Sequence, residues 1–289
     1  MEIAIISGKG GTGKSSISAA FATISEEVVL ADCDVDAANL YILFNPEHEE
    51  EESFVGGEKA VIDRDLCTNC GLCIPYCNFE AIVFSPEGVV ISETACDGCH
   101  LCKRVCPHQA IRMVEIDKSR LYAGAFRNGR MVYGRLAPGE ENSGKLVNLV
   151  REKAQKQSKA FGLKTIIIDG PPGIGCPVIS SITGVDQVVI ITEPSLSGLH
   201  DLERAADVSG SFGIKTRVII NKADLDEAMG DKIETWCKER GLEVVAKIPF
   251  DPEVVKSMVN CKSISEWAPD SKTSQILRET WKVLLNGKG

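Results

Sequence analysis

Ser7–Ser16, SGKGGTGKSS, follows an apolar run, EIAIIS, that reads as a strand, and it precedes a segment that reads as a helix to about Ile24. Gly8 to Ser15 satisfies G-x-x-x-x-G-K-[ST], and the strand before it and helix after it are the context that gives the pattern meaning. In such a loop the backbone N–H groups of Gly8, Gly10, Gly11, Thr12, Gly13, Ser15 and Ser16, with the helix N-terminus behind them, are placed to hold phosphates. Lys14 is expected to reach the β- and γ-phosphates and Ser15 to ligate Mg²⁺. One lysine suffices for that task, yet the stretch holds a second, Lys9.

Outward from the loop, the chain after Thr165 alternates short β-branched runs (TIIIDG, DQVVIITE, KTRVIIN, EVVAKIP) with helical segments such as Asp226–Arg240. Strands this apolar are buried on both faces, so the expectation is an α/β fold, a parallel sheet flanked by helices. Asp169 ends one such strand and is the candidate second carboxylate for Mg²⁺. Gly170-Pro171-Pro172-Gly173 follows it as a candidate γ-phosphate switch. In ADCDVDAANL, Asp32, Asp34 and Asp36 alternate and should share one face if the strand runs through them. Asp36, just before Ala-Ala-Asn-Leu, reads as a helix cap.

The 289 residues are 44% hydrophobic and carry a net charge of −9, which argues against nucleic acid or an anionic membrane as the main partner. No run approaches the eighteen or so apolar residues of a membrane span, and the start does not read as a signal peptide, so a cytoplasmic location is expected. Twelve cysteines are many for a reducing compartment, and eight of them lie between Cys67 and Cys106. Clustering of that kind points to metal before disulfide.

The cysteine-rich segment is an internal repeat. Ile62–Ile82 (IDRDLCTNCGLCIPYCNFEAI) aligns with Ile91–Ile111 (ISETACDGCHLCKRVCPHQAI) at a constant offset of 29 residues, with all four cysteines in register. Each half reads C-x2-C-x2-C-x3-C. Zinc usually takes two separated pairs, whereas in two-cluster ferredoxins the fourth cysteine of each run crosses to the other cluster. That logic assigns Cys67, Cys70, Cys73 and Cys106 to one [4Fe–4S] cluster, and Cys96, Cys99, Cys102 and Cys77 to a second. The segment resembles the bacterial two-cluster ferredoxins throughout, except that Asn78 stands where the pattern has proline, which the second run keeps as Pro107. The acidic run Glu47–Glu52 with Gly56-Gly57 reads as the exit from the α/β fold, and the hairpin signal Asn128-Gly129 with Pro138-Gly139 as the return. The expected organisation is a discontinuous P-loop domain, residues 1–57 and 119–289, with a small α+β ferredoxin-like domain, 58–118, inserted in it.

KGGTGKS, DCDVD and DGPPG together resemble the deviant-Walker ATPases: MinD, ParA, the Mrp-type iron–sulfur scaffolds and the nitrogenase iron protein. With the insertion, the chain looks like MinD-superfamily P-loop ATPases that contain a ferredoxin domain. The resemblance implies that Lys9 crosses to a partner subunit's nucleotide, that Asp34 positions the attacking water, and that the active form is an ATP-bound homodimer. It also gives Asn221 to adenine, although Asn221-Lys222-Ala223-Asp224 looks like a GTPase N-K-x-D in which Asp224 would take guanine. Pro249-Phe250-Asp251 resembles the family's loop beside the base, and Asp251-Pro252 is equally a plain helix start.

Three functions follow as expectations: ATP-gated electron transfer to a redox partner, an iron–sulfur scaffold that serves a cluster acceptor, and a MinD-like spatial organiser. The C-terminal SQILRETWKVLLNGKG has mixed charge and suits a helix packed on the sheet better than a membrane anchor. Cys237 and Cys261 do not form a close pair. Cys176, seven residues past Asp169, sits where the nitrogenase iron protein has a cluster cysteine, but the stretch aligned with that protein's second cysteine offers Asn142.

Overall fold

A computed structural model describes residues 1–25, 27–140 and 143–286. Its first half contains β1 (Glu2–Ser7), α1 (Lys14–Ile24), β2 (Val28–Asp32), α2 (Leu40–Phe44), β3 (Glu50–Phe54), β4 (Glu58–Ile62), β5 (Ile82–Ser85), β6 (Gly88–Ile91), α3 (Leu101–Val105), β7 (Ile111–Glu115), β8 (Ser119–Phe126) and β9 (Gly129–Arg135). The second half alternates strictly: α4 (Ser143–Phe161), β10 (Thr165–Pro172), α5 (Cys176–Ile182), β11 (Gln187–Thr192), α6 (Leu196–Ser211), β12 (Lys215–Asn221), α7 (Glu227–Glu239), β13 (Glu243–Ile248). It closes with the helices α8 (Pro252–Val259), α9 (Ile264–Trp267) and α10 (Lys272–Asn286).

Nine strands form one sheet in the order β13-β12-β11-β1-β10-β2-β9-β8-β3. The pairs from β13 to β9 are parallel, and β9-β8 and β8-β3 are antiparallel. Alternation along β1 shows why both faces are covered. Ile3 and Ile5 enter a core with Phe21 of α1 and Leu277 and Trp281 of α10, whereas Ala4 and Ile6 enter a second core with Val147 and Val150 of α4 and Leu202 of α6. Trp281 stacks on Phe21 at 5.1 Å between centroids, so the C-terminal helix spends its apolar face on the sheet. No helix among the described residues is long and apolar enough to cross a membrane.

The acidic run leads into the last strand of this sheet, and the chain passes from it through Gly56-Gly57 to the separate ribbon strand β4. Glu50–Phe54 pairs antiparallel with β8 as the last strand, and basic groups neutralise its carboxylates. Arg130 holds Glu49 at 2.6 Å, and Lys153 pairs with both Glu50 and Glu52. Hydrogen bonds from Arg130 keep the Glu49 carboxyl below the ordinary carboxylate range. Composition alone cannot distinguish a solvated charge run from an edge strand whose partners lie elsewhere in the chain.

Between β3 and β8 the chain builds two small antiparallel ribbons, β4-β7 and β5-β6. They enclose a third, minor core in which Cys73, Cys77, Cys96, Cys102 and Cys106 pack with Ala60, Ile82 and Ile111. Lys59, buried at its base, donates to the carbonyl oxygens of Cys96 and Gly139 and so ties the ribbons to the loop before α4. Trp281→Ala should remove the Phe21 stack and leave a cavity against α1, costing about 3–5 kcal/mol in denaturant unfolding, with far-UV circular dichroism otherwise preserved.

Candidate nucleotide site and cysteine-lined cavities

The loop after β1 closes tightly, and two glycines show what it demands. A Cβ at Gly8 would lie 2.4 Å from Cβ of Asp201, and Gly13 combines φ +91° with a would-be Cβ 2.3 Å from Nδ2 of Asn221. Asn221, at the end of β12, donates to the carbonyl of Thr12 at 2.8 Å. The Thr12 hydroxyl is buried with no hydrogen-bond partner, a cost of about 1–3 kcal/mol unless an acceptor such as a phosphate oxygen arrives.

Because β10 runs on through Gly170 and Pro171 to Pro172, Asp169 lies inside the strand and not at its end as the sequence suggests, and it is fully buried. Its two oxygens accept from Ser15 Oγ and Ser18 Oγ, each at 2.7 Å, and Lys14 Nζ lies 3.0 Å away. Ser18 was not singled out from sequence, although it lies one helical turn after Ser15 and its spacing places it on the same face of α1. Burial opposes the charge on Lys14, yet Asp169, Asp32 and Asp34 together raise its pKa. For Asp34, half-buried, burial is the main cause of an upward shift that Lys14 partly offsets.

Asp32, Asp34 and Asp36 do not share a face. β2 ends at Asp32 and the chain turns before Asp36, which is exposed. Nor does Asp36 cap a helix. The buried Asp32 carboxylate instead accepts from the backbone N–H of Asn39 at 3.2 Å and Leu40 at 3.1 Å, the start of α2, and from Asp34 N–H. A cap reached from seven residues upstream leaves no local signature. Burial, then the neighbouring Asp169, push the Asp32 carboxyl up to about 7.

Beside the loop lies a cavity of 270 Å³ whose walls include Gly13, Asn221, Lys222, Pro249, Phe250 and Asp251. Asp224 is not among its lining; its carboxylate accepts the Phe250 N–H at 2.6 Å and so fixes the wall. Asp251 caps α8, accepting from Glu253 N–H at 2.9 Å, and takes a second bond from Thr273. Lys9 reaches away from this cavity to Glu193 at 2.6 Å and to Ser197 Oγ at 2.8 Å. Lys222 holds the other oxygen of Glu193 at 3.2 Å. Glu193, just past β11, carried no signal in the sequence.

The other cysteines separate by position. Cys33 and Cys237 are core thiols whose pKa burial raises, and they are inert on that account. Cys176 is exposed at the start of α5, and Cys261 is exposed after α8; Asn142 falls outside the described residues. Among the described residues no three His, Cys, Asp or Glu side chains converge as ligands of a single metal ion. The repeat cysteines instead ring two small cavities. One is bounded by Cys67, Cys70, Cys73 and Cys106 with Ile62 and Val89, the other by Cys77, Cys96, Cys99 and Cys102 with Ala60 and Ile82. The sulfurs of Cys77 and Cys106 accept backbone N–H groups, from Ala81 and Ala110, each at 3.3 Å.

Residues 3–264 match the CobQ/CobB/MinD/ParA nucleotide binding domain. The chain belongs to that family. An uncharacterized protein of Methanocaldococcus jannaschii is 35% identical over 287 residues, covering 98% of this chain and 96% of that one. The fold is shared with the cell division ATPase MinD of Pyrococcus furiosus, at 18% identity and TM-score 0.59 over 99% of this chain and 98% of that one. It is shared as well with MinD of Pyrococcus horikoshii complexed with Mg-ADP, at 18% identity and TM-score 0.58 over 98% and 95%. The loop joins the two parts of the candidate site: its Gly11 and Gly13 line the 270 Å³ cavity, and Lys14, the next residue, pairs with Asp169.

Asp32 supplies a test of the site's electrostatics. Its carboxyl titrates near 7 in the folded chain against 3.8 ordinarily, so between those values the native state keeps a proton that the unfolded chain has released. Stability from this group is therefore full below the lower value and is lost as pH rises towards 7. In nucleotide-free protein, the Tm of wild type minus that of Asp32→Asn should fall as pH rises from about 4 to about 7; a constant difference would contradict the assignment.

Proposed function

We propose that the protein is an ATPase that dimerises on ATP and couples hydrolysis to two [4Fe–4S] clusters held by the inserted repeat, gating electron transfer to a redox partner. The ATPase half is supported by the convergence of Lys14, Ser15 and Asp169 at the loop, beside an orphaned buried hydroxyl and a cavity of base-pocket size. ATP is favoured over GTP because Asp224, the guanine acceptor in an N-K-x-D reading, is committed to Phe250 N–H, while Asn221 lines the cavity. Ser15 and Asp169 are the residues that would hold Mg²⁺, directly or through water. Lys14 neutralises the β- and γ-phosphates, Asp34 orients water towards the γ-phosphate, and Lys9 completes the partner's site. Asp34 is suited to that role by its place two residues past β2, where it feels the charge of Lys14.

The single observation that carries the iron–sulfur half is the crossed cysteine arrangement. Each cavity is ringed by three cysteines of one repeat and the fourth of the other, the pairing of two-cluster ferredoxins. Around one zinc ion, sulfurs at about 2.3 Å from the metal would crowd to about 3.8 Å from each other, whereas a cluster spaces them apart. Backbone N–H groups already donate to the sulfurs of Cys77 and Cys106, the two crossing positions. Bound clusters would supply one-electron transfer; the protein contributes the sulfurs, a small apolar enclosure and the N–H donors. The domain division, 58–118 within 1–57 and 119–289, belongs to this reading, and the separate minor core supports it.

A second reading, a MinD-like spatial regulator, is favoured by the fold shared with MinD. A scaffold that passes clusters to an acceptor is the third, with the exposed Cys176 beside the switch as its only additional thiol there. Iron analysis separates them first. Anaerobically prepared protein should contain about eight iron per chain with broad absorption that bleaches in air, whereas zinc at one or two per chain and no iron would leave the regulator. Iron that moves to an apo-acceptor during ATP turnover would select the scaffold.

Three substitutions test the ATPase half. Lys14→Ala should abolish nucleotide binding. Lys9→Ala should leave a monomer that binds ATP and barely hydrolyses it, and Asp34→Ala should trap the ATP dimer on gel filtration. Wild-type turnover by Lys9→Ala would defeat the two-lysine interpretation.

A further inference from the structure

Lys9 is engaged within its own chain. Its ammonium meets Glu193 Oε1 at 2.6 Å, Ser197 Oγ at 2.8 Å and Ser195 Oγ at 3.4 Å, all at the junction of β11 and α6. The second oxygen of Glu193 takes Lys222 at 3.2 Å, and Lys222 also donates to the carbonyl of Gly11 at 3.0 Å. One carboxylate therefore joins Lys9, within the glycine loop, to Lys222, just past β12. Burial works against its charge, yet hydrogen bonds from the two lysines hold the Glu193 carboxyl below the ordinary range. It is charged at neutral pH and engaged on both oxygens.

We infer that Glu193 is a positioning residue that holds Lys9 within its own subunit and so sets how readily the ATP-bound dimer forms. The inference rests on Lys9 acting across that dimer. A lysine cannot serve the partner's phosphates while paired at home, so each dimerisation must break two such contacts, one per chain. The serines at 195 and 197 supply neutral acceptors on the same turn, which guide Lys9 to Glu193 but cannot replace its charge. Lys222 keeps Gly11 as an acceptor once the carboxylate is relieved, so the loop itself stays braced.

The magnitude follows from exposure. The side chains of Lys9 and Glu193 are 29% and 20% exposed, and an ion pair this accessible favours its closed form by about 1.4-fold to fivefold. Two released pairs multiply, so the dimer dissociation constant is raised by about twofold to thirtyfold.

The experiment is ATPase rate against protein concentration for the full chain. In Glu193→Gln the concentration that gives half-maximal specific activity should fall by about twofold to thirtyfold, with the plateau rate retained. Glu193→Asp keeps the charge and should stay nearer wild type. In the Lys9→Ala background, ATP affinity should not change on adding Glu193→Gln, since the pair is already broken. An unchanged or higher half-maximal concentration in folded Glu193→Gln overturns the inference, as does an equal shift in Glu193→Asp. Should Glu193→Gln misfold, Ser197→Ala removes one acceptor on the exposed turn; it should lower the same concentration, and no shift would overturn the inference. Specific activity independent of protein concentration in wild type would instead remove the dimer reading itself, a distinguishable failure.

Discussion

The arrangement at the nucleotide site depends on one buried carboxylate. Asp169 has no exposed surface, and a lone charge there would be costly. Lys14 and the hydroxyls of Ser15 and Ser18 compensate it. These three come from the first turns of α1, so the interaction pins the helix that begins the loop to the strand at the centre of the sheet. The loop's backbone donors are thereby preset, and the same carboxylate stands where a divalent cation would be held. Stability and readiness for phosphate are in this case served by the same contacts.

A second buried carboxylate, Asp32, sits one strand away and is compensated differently. It caps α2 through backbone N–H groups and carries a raised pKa because it is buried and, secondarily, because Asp169 is its neighbour. The pair leaves the site short of positive charge in its interior, with Lys14 as the shared counterion. An acidic floor of this kind favours cation-bound nucleotide over free anion on Coulombic grounds alone.

Much of the architecture was legible because periodicity is local. The apolar runs around Ile3, Ile167, Val189 and Ile219 are strands buried on both faces, and the loop after β1 has one physical meaning in that context. The cysteine repeat was legible for the same reason, since its register lies along the chain. Features that depend on distant partners were not. Glu50 and Glu52 lie in a strand that pairs with β8 and meets Lys153 of α4, α2 is capped by Asp32 and not Asp36, and Glu193 meets Lys9 and Lys222, both distant in sequence. Asp224 and Asp251 carry motif-like spacing, yet Asp224 accepts the Phe250 N–H, and Asp251 accepts from the Glu253 N–H and the Thr273 hydroxyl.

The strands that flank the cysteine-rich segment have a consequence for how the chain is assembled. Phe54, the last residue of β3, is paired directly with Ser119, the first of β8. The segment is thus a hairpin connection of unusual length whose two ends sit opposite each other, about 5 Å apart for antiparallel partners. Closing a longer connection between fixed ends costs only logarithmically more entropy, so sixty residues or two could join these strands with the register of the nine-stranded sheet unchanged. The length of the cysteine-rich segment is thereby uncoupled from the geometry of the sheet, and the nucleotide site keeps its arrangement whatever that segment holds.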